Sequence, residues 1–185
     1  MKKKTAAFVL IILMFIGIIV VYQSVNSSNQ NGSEDSNKIL LTTSKGNITI
    51  ELFEDTPKTT ANFKKLTRQK IYDGTIFHRV ILGFMIQGGD PTGDPNIPTI
   101  EDELPNRHSN VRGAVAMAKT DQPNSASSQF FINLVDNSAN LDANYVVFGH
   151  VIAGMDVVDA IGRVATNSDD RPLQDVTLYN AQIIP

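Results

Sequence analysis

No cysteine occurs anywhere in the 185 residues. Its absence rules out a disulfide framework, a thiolate nucleophile and cysteine-ligated zinc. A lipidated cysteine anchor is excluded as well. Histidine is nearly as scarce: His78, His108 and His150 lie far apart without ligand spacing, so no metal centre is expected. Ser127 and Ser128 sit in no nucleophile-elbow pattern, which leaves a serine hydrolase without support. The stretch "GDPTGDPN" fits neither a phosphate-binding nor a calcium-binding loop, and no cofactor is indicated. Positive charge is not in surplus either. A formal net charge of −3 argues against a nucleic-acid partner, which usually meets a basic face. No internal repeat is visible.

What is present has an ordinary globular make-up, 42% hydrophobic and 19% charged, with the length of one domain plus an appendage. The appendage comes first. "MKKK" leads into a run from Ala6 to Tyr22 without a single charge, at the short end of what spans a hydrocarbon core. The run is apolar all round, unlike a surface helix. Three leading lysines favour a cytoplasmic N-terminus and an extracytoplasmic remainder. The apolar core exceeds that of a cleaved signal peptide, and no Ala-x-Ala follows, so a retained single-pass anchor over residues 1–22 is favoured. Cleavage would instead give a secreted protein. Residues 23–37, "QSVNSSNQNGSEDSN", hold one apolar side chain, Val25, and read as a flexible tether. The folded domain is expected over 38–185.

Within it, "KILLTTSKGNITIELF" reads as two strands around a Ser-Lys-Gly-Asn turn, with Ile48, Ile50 and Leu52 alternating against polar neighbours. "DTPKTTANFKKLTRQKIY" reads as a helix, with Thr56 as N-cap and Pro57 at the first position. A second helix is expected in "GMDVVDAIGRV". Further strands are predicted over 75–79, 84–88, 113–117, 129–134, 146–152 and 175–183. About eight short strands with turn residues between them suggest a barrel or sandwich rather than alternating βαβ units. The acidic run "EDE" at 101–103 reads as a solvated loop.

Two stretches carry the chemistry: "FHRVILGFMIQGGD" at 77–90 and "MAKTDQPNSASSQFFINL" at 117–134. Together with "LDANYVVFGHVIAGMDVVDAI" they resemble the cyclophilin-type peptidyl-prolyl cis-trans isomerases from Lys38 onward. Three separated motifs in the same order are far more specific than any one of them. The resemblance implies a mainly β domain, a closed eight-stranded antiparallel barrel capped by two α-helices, with a groove on its outer surface. It implies that Arg79 is the catalytic arginine and that Phe84, Met85, Phe131 and Leu141 form the proline pocket. Gln87 becomes a contact to the substrate backbone, Ala118 part of the rim, and Tyr145 a substrate-binding residue where many relatives have histidine. Asn140 stands where many relatives have tryptophan, so cyclosporin binding should be weak. The implied partners are proline-containing unfolded or flexible polypeptides.

An arginine beside apolar walls, with no nucleophile, suits a reaction that breaks no bond. Rotation about a peptide bond faces a barrier of about 18–20 kcal/mol from amide resonance, and exchange before proline takes tens to hundreds of seconds. A guanidinium that stays protonated can donate to the prolyl nitrogen as its lone pair localises in the twisted state. The alternative is a proline-peptide binding or holdase module without catalysis. Retention of Arg79 favours the enzyme.

Overall fold

The computed structural model describes residues 36–91 and 96–185. The expected anchor over 1–22, and all but the last two residues of the expected tether, lie outside the described residues. Among the described residues no helix is long and apolar enough to cross a membrane.

Eight strands form one antiparallel sheet: β1 (Lys38–Thr43), β2 (Gly46–Leu52), β3 (Arg79–Ile81), β4 (Met85–Gly88), β5 (Ala114–Met117), β6 (Phe130–Asn133), β7 (Val147–Ala153) and β8 (Leu178–Ile184). Their order across the sheet is β3-β4-β6-β5-β7-β2-β1-β8. The end strands β3 and β8 are not paired with each other, so the expected closed barrel is corrected to a half-barrel. The chain just before β3 meets the start of β8 instead: the Phe77 N–H donates to the Val176 carbonyl at 2.9 Å, and Leu178 to Thr75 at 2.8 Å. One bridge, Ile76 to Thr177, stands where a ladder would be. The strand predicted over 75–79 is therefore corrected: most of it is this connector, and β3 begins only at Arg79.

The opening hairpin turns at Ser44-Lys45, with Ile39, Leu41, Ile48 and Ile50 fully buried on one face. That alternation is what a half-covered antiparallel pair requires. Helix α1 (Pro57–Arg68) buries Phe63 and Leu66 against the interior. Phe63 lies 4.8 Å from Tyr72, 5.4 Å from Phe130 and 5.0 Å from Phe148, ring centre to ring centre. Rings of this size contribute about 1.5–3 kcal/mol each by burial, and this cluster is the heart of the domain.

Two expectations about helices change. Three helices are described rather than two, because a single turn, α2 (Ser138–Leu141), precedes α3 (Met155–Gly162). Four residues are too few to show helical periodicity in sequence. Nor does the Thr56 side chain cap α1. The carboxylate of Glu103 does, accepting from the N–H of Lys58 at 3.0 Å and of Thr59 at 2.8 Å, and from the Thr59 hydroxyl at 2.7 Å. An acid at this end also meets the positive pole of the helix. The "EDE" run is a loop, as expected, but only its first acid is solvated: exposed Glu101 pairs with Lys58, and Asp102, largely covered, pairs with Lys119 at 3.2 Å. At α3, Gly154 holds φ +85°, and a Cβ there would sit 2.2 Å from the Asn47 carbonyl oxygen, so no side chain fits.

Candidate active site

Strands β4, β5 and β6 are buried on both faces. Because side chains alternate along a strand, their odd and even residues enter two different apolar clusters. Ile86, Val115, Met117, Phe130 and Ile132 join the interior. Met85, Ala114, Ala116 and Phe131 face outward, where Leu141 and Val147 join them. This second cluster has no sheet or helix laid over its whole extent, and a cavity of about 310 Å³ opens above it.

Arg79, Phe84, Met85, Gln87, Ala118, Phe131, Leu141 and Tyr145 all line that cavity, so the structure brings together every residue assigned to the site. Strand pairing explains much of the juxtaposition. Arg79 is opposite Gln87 across β3 and β4, and Gln87 is opposite Phe131 across β4 and β6. Arginine, amide and ring thus follow one another across three strands. Phe131 and Met85 form the floor, at 5% and 2% exposure. Tyr145 meets Phe131 edge to face with ring centres 5.6 Å apart. Phe84 forms one wall from the β3–β4 turn, and Leu141 with Tyr145 forms the other from α2 and the residues after it.

The floor is positioned from behind. Gly89 has φ +79°, and a Cβ on it would lie 2.8 Å from the Phe130 ring and 3.0 Å from the Ser128 carbonyl oxygen. The second glycine of "QGGD" therefore lets β4 and the end of β6 pack closely, which sets Gln87 beside Phe131.

The polar groups are arranged for donation. Nε of Arg79 faces the Asp170 carboxylate at 3.5 Å, and no hydrogen bond engages its two terminal nitrogens among the described residues. Asp170 sits at φ +62° in a turn organised by the Asn167 side chain, and its carbonyl accepts the Val80 N–H at 2.8 Å. The fork of the guanidinium is thereby left for the groove. Gln87 donates one amide hydrogen to Gln129 Oε1 at 2.8 Å and keeps the other hydrogen and its carbonyl oxygen. Burial, more than the neighbouring Arg171 and Arg79, holds the His78 imidazole below its ordinary range despite the opposing pull of Asp90. His78 is not part of the cavity lining.

Lys119 completes the rim. Its ammonium is bound by Asp102 and by the Gln122 carbonyl at 3.2 Å, so it serves as a tied wall rather than a free charge. Sequence reasoning also missed Gln129 and Asp170. Gln129 was within reach, since the strand expected over 129–134 places it two residues before Phe131 and on the same face, although β6 itself begins at Phe130. Asp170 was not, because 91 positions separate it from Arg79 and only the fold joins them. Among the described residues no group of histidines and acids could hold a metal ion.

Comparison with known proteins identifies the family. Residues 38–183 match the family model for the cyclophilin type peptidyl-prolyl cis-trans isomerases. The chain is 36% identical to peptidyl-prolyl cis-trans isomerase A of Dickeya dadantii, covering 100% of this chain and 99% of that protein. It is 43% identical to peptidyl-prolyl cis-trans isomerase B of Escherichia coli, over 76% of this chain and 96% of the relative. A crystal structure of a cyclophilin type isomerase from Cryptosporidium parvum superposes with a TM-score of 0.75 at 30% identity, covering 80% of this chain and 98% of that one. The chain belongs to the cyclophilin-type peptidyl-prolyl cis-trans isomerases.

Proposed function

We propose that this isomerase turns Xaa-Pro bonds in the groove over β4, β5 and β6, with Arg79 as its catalytic residue, and that its substrates are exported chains folding outside the cytoplasmic membrane. The observation that carries the site is the single cavity that unites Arg79 with the apolar floor and the Gln87 amide. The Cryptosporidium relative has also been solved in the presence of the dipeptide Ala-Pro.

Bound there, the pyrrolidine ring rests on Phe131 and Met85 between the Phe84 and Leu141 walls. Gln87 holds the peptide backbone while the carbonyl before proline swings. As resonance is lost, the prolyl nitrogen gains a localised lone pair, and an Arg79 terminal nitrogen donates to it. That bond is strongest in the twisted state, which is the condition for raising the rate. Shortening exchange from ~100 s to ~1 ms lowers the barrier by roughly 7 kcal/mol. One charge-assisted hydrogen bond supplies about 1.5–3 kcal/mol of that. Anchoring and desolvation in the groove supply the remainder.

The extracytoplasmic setting is supported by Lys2–Lys4 ahead of the uncharged run from Ala6 to Tyr22. Proline exchange limits the folding of many chains, which gives a tethered isomerase its task. Weak cyclosporin binding belongs to the same reading, with Asn140 in the place of an indole.

The test follows exchange of an Ala-Pro-Phe peptide by NMR with the full-length chain and with Arg79→Ala. Loss of one transition-state donor should cut the rate about 10²–10³-fold and leave the melting temperature unchanged. An unchanged rate would remove Arg79 from the mechanism. Peptide binding without accelerated exchange in the unaltered chain would make the groove a recognition site.

A further inference from the structure

Behind the groove lies a row of buried amides that neither the apolar floor nor Arg79 accounts for. Asn110 and Asn133 are fully buried, and Asn137 is 6% exposed. Asn133 continues the outward face of β6 two residues beyond Phe131, where an apolar side chain would be the ordinary occupant. Asn137 stands at the N-cap of α2 but makes no capping hydrogen bond with its side chain. An asparagine there normally accepts from a first-turn N–H. This one turns the other way.

Its Nδ2 donates to the Phe84 carbonyl at 2.9 Å and to Asn133 Oδ1 at 2.7 Å. Asn133 donates onward to Asn110 Oδ1 at 3.1 Å and to the Ala114 carbonyl at 3.2 Å. Asn110 in turn donates to Asp142 Oδ1, from Nδ2 at 3.0 Å and from its backbone N–H at 2.7 Å, with a longer 3.4 Å contact to the Tyr145 carbonyl. From Asn137 through Asn133 and Asn110 the links run in one direction and end on a carboxylate, which can only accept when ionised, while the same Asn137 amide donates back to Phe84. The Asn133 and Asn110 amides each accept and donate, and aligned bonds of this kind reinforce one another. The Asn137 N–H also donates to the Asn110 carbonyl at 2.8 Å. The chain of bonds starts at Phe84, one wall of the groove, and ends beside Leu141 and Tyr145, the other wall.

We propose that Asn110, Asn133 and Asn137 are positioning residues that fix the separation of the two groove walls, and so the orientation of the bound proline ring toward Arg79. The proposal rests on the groove being the isomerase site. Apolar burial is non-directional, so a loosened pocket still accepts a pyrrolidine ring. Rotation about the prolyl bond needs the ring held still at a set angle to the guanidinium, and a displacement near 1 Å can cost two orders of magnitude in rate. Binding and turnover therefore separate when the amide row is cut.

The experiment compares full-length Asn137→Ala, Arg79→Ala and a control substitution at Ile39, a fully buried residue of β1. Valine or alanine is chosen at Ile39 to match the melting temperature of the Asn137 variant. Peptide exchange is measured by NMR below and above saturation, which separates kcat from KM. The expected result is a kcat lowered about tenfold or more, a KM changed less than threefold, and a control with both constants unchanged. Asn137→Ser retains one donor and should show a smaller loss of the same kind, and it serves if the alanine variant fails to fold. A kcat equal to that of the Ile39 control overturns the proposal, as does a raised KM with kcat intact. If Arg79→Ala keeps the full rate, Arg79 has no part in the mechanism, and both the catalytic reading and the positioning toward it fall. If only Asn137→Ala keeps it, the positioning role alone is lost.

Discussion

The two apolar clusters of this domain are built from the same strands and nearly the same residue types, yet they do different work. Along β6, Phe130 and Ile132 enter the interior while Phe131 enters the outer cluster. Phe130 is enclosed on all sides by Phe63, Tyr72 and Phe77. Phe131 touches Tyr145 on one edge and faces a cavity on another. Apolar burial explains both rings, but only the second keeps a face free for a ligand. A binding groove is here a second core that lacks part of its cover.

Substituting each ring in turn tests that contrast most strongly. Phe130→Ala removes a ring from a close-packed interior and should cost about 3–5 kcal/mol of stability, with kcat/KM per folded molecule nearly unchanged. Phe131→Ala should cost clearly less stability and lower kcat/KM by at least tenfold, since a pocket floor aligns the reacting group. Urea titration beside peptide exchange checks both. Equal stability losses with equal activity losses would dissolve the distinction between the clusters.

A smaller effect is expected where the groove rim and the interior meet. Glu103 caps α1, and the adjacent Asp102 ties down Lys119 on the rim. Glu103→Ala should destabilise by about 1 kcal/mol, in the range of a lost helix cap. Its exchange rate should stay within twofold, because the ion pair of Asp102 remains. A large loss of rate with intact stability would mean that the acidic run serves the groove rather than the helix.

The smallest effect lies at the edge of the interior, where Arg112 also donates to the Leu134 carbonyl. Arg112 holds Asp159 through two parallel hydrogen bonds at 2.8 and 2.9 Å. Those bonds hold the Asp159 carboxyl below its ordinary value of 3.8 against the opposing effect of desolvation. A carboxyl depressed in the folded state adds stability above its unfolded value, and that contribution disappears as pH falls through the folded one. Stability should therefore decline below about pH 4, and less steeply in Asp159→Asn. The pair is near the surface, so the difference should not exceed about 1 kcal/mol. Denaturation midpoints at pH 5 and pH 3 measure it, and identical slopes would show that the pair contributes nothing.

Much of this was readable in the chain. The hairpin at 38–52, the helix beginning at Pro57 and the short strands followed from alternation, helical spacing and turn residues. The resemblance carried by the three motifs implied a groove and the residues that line it. Asp170 and the cap by Glu103 were not readable, since each joins positions 91 or 45 apart. The amide row was hidden for a further reason: an asparagine before a one-turn helix looks like a local cap.

Residue order determined which side chains could alternate, which segments could turn, and that a fixed cation would stand among apolar neighbours without a nucleophile. Those are properties of adjacent residues and of backbone periodicity. Only the tertiary structure decided which of two buried faces stays uncovered, which carboxylate meets Arg79, and where each amide finds its partner. Alternation divides a strand into two faces, but the packing of distant segments determines what, if anything, lies above each one.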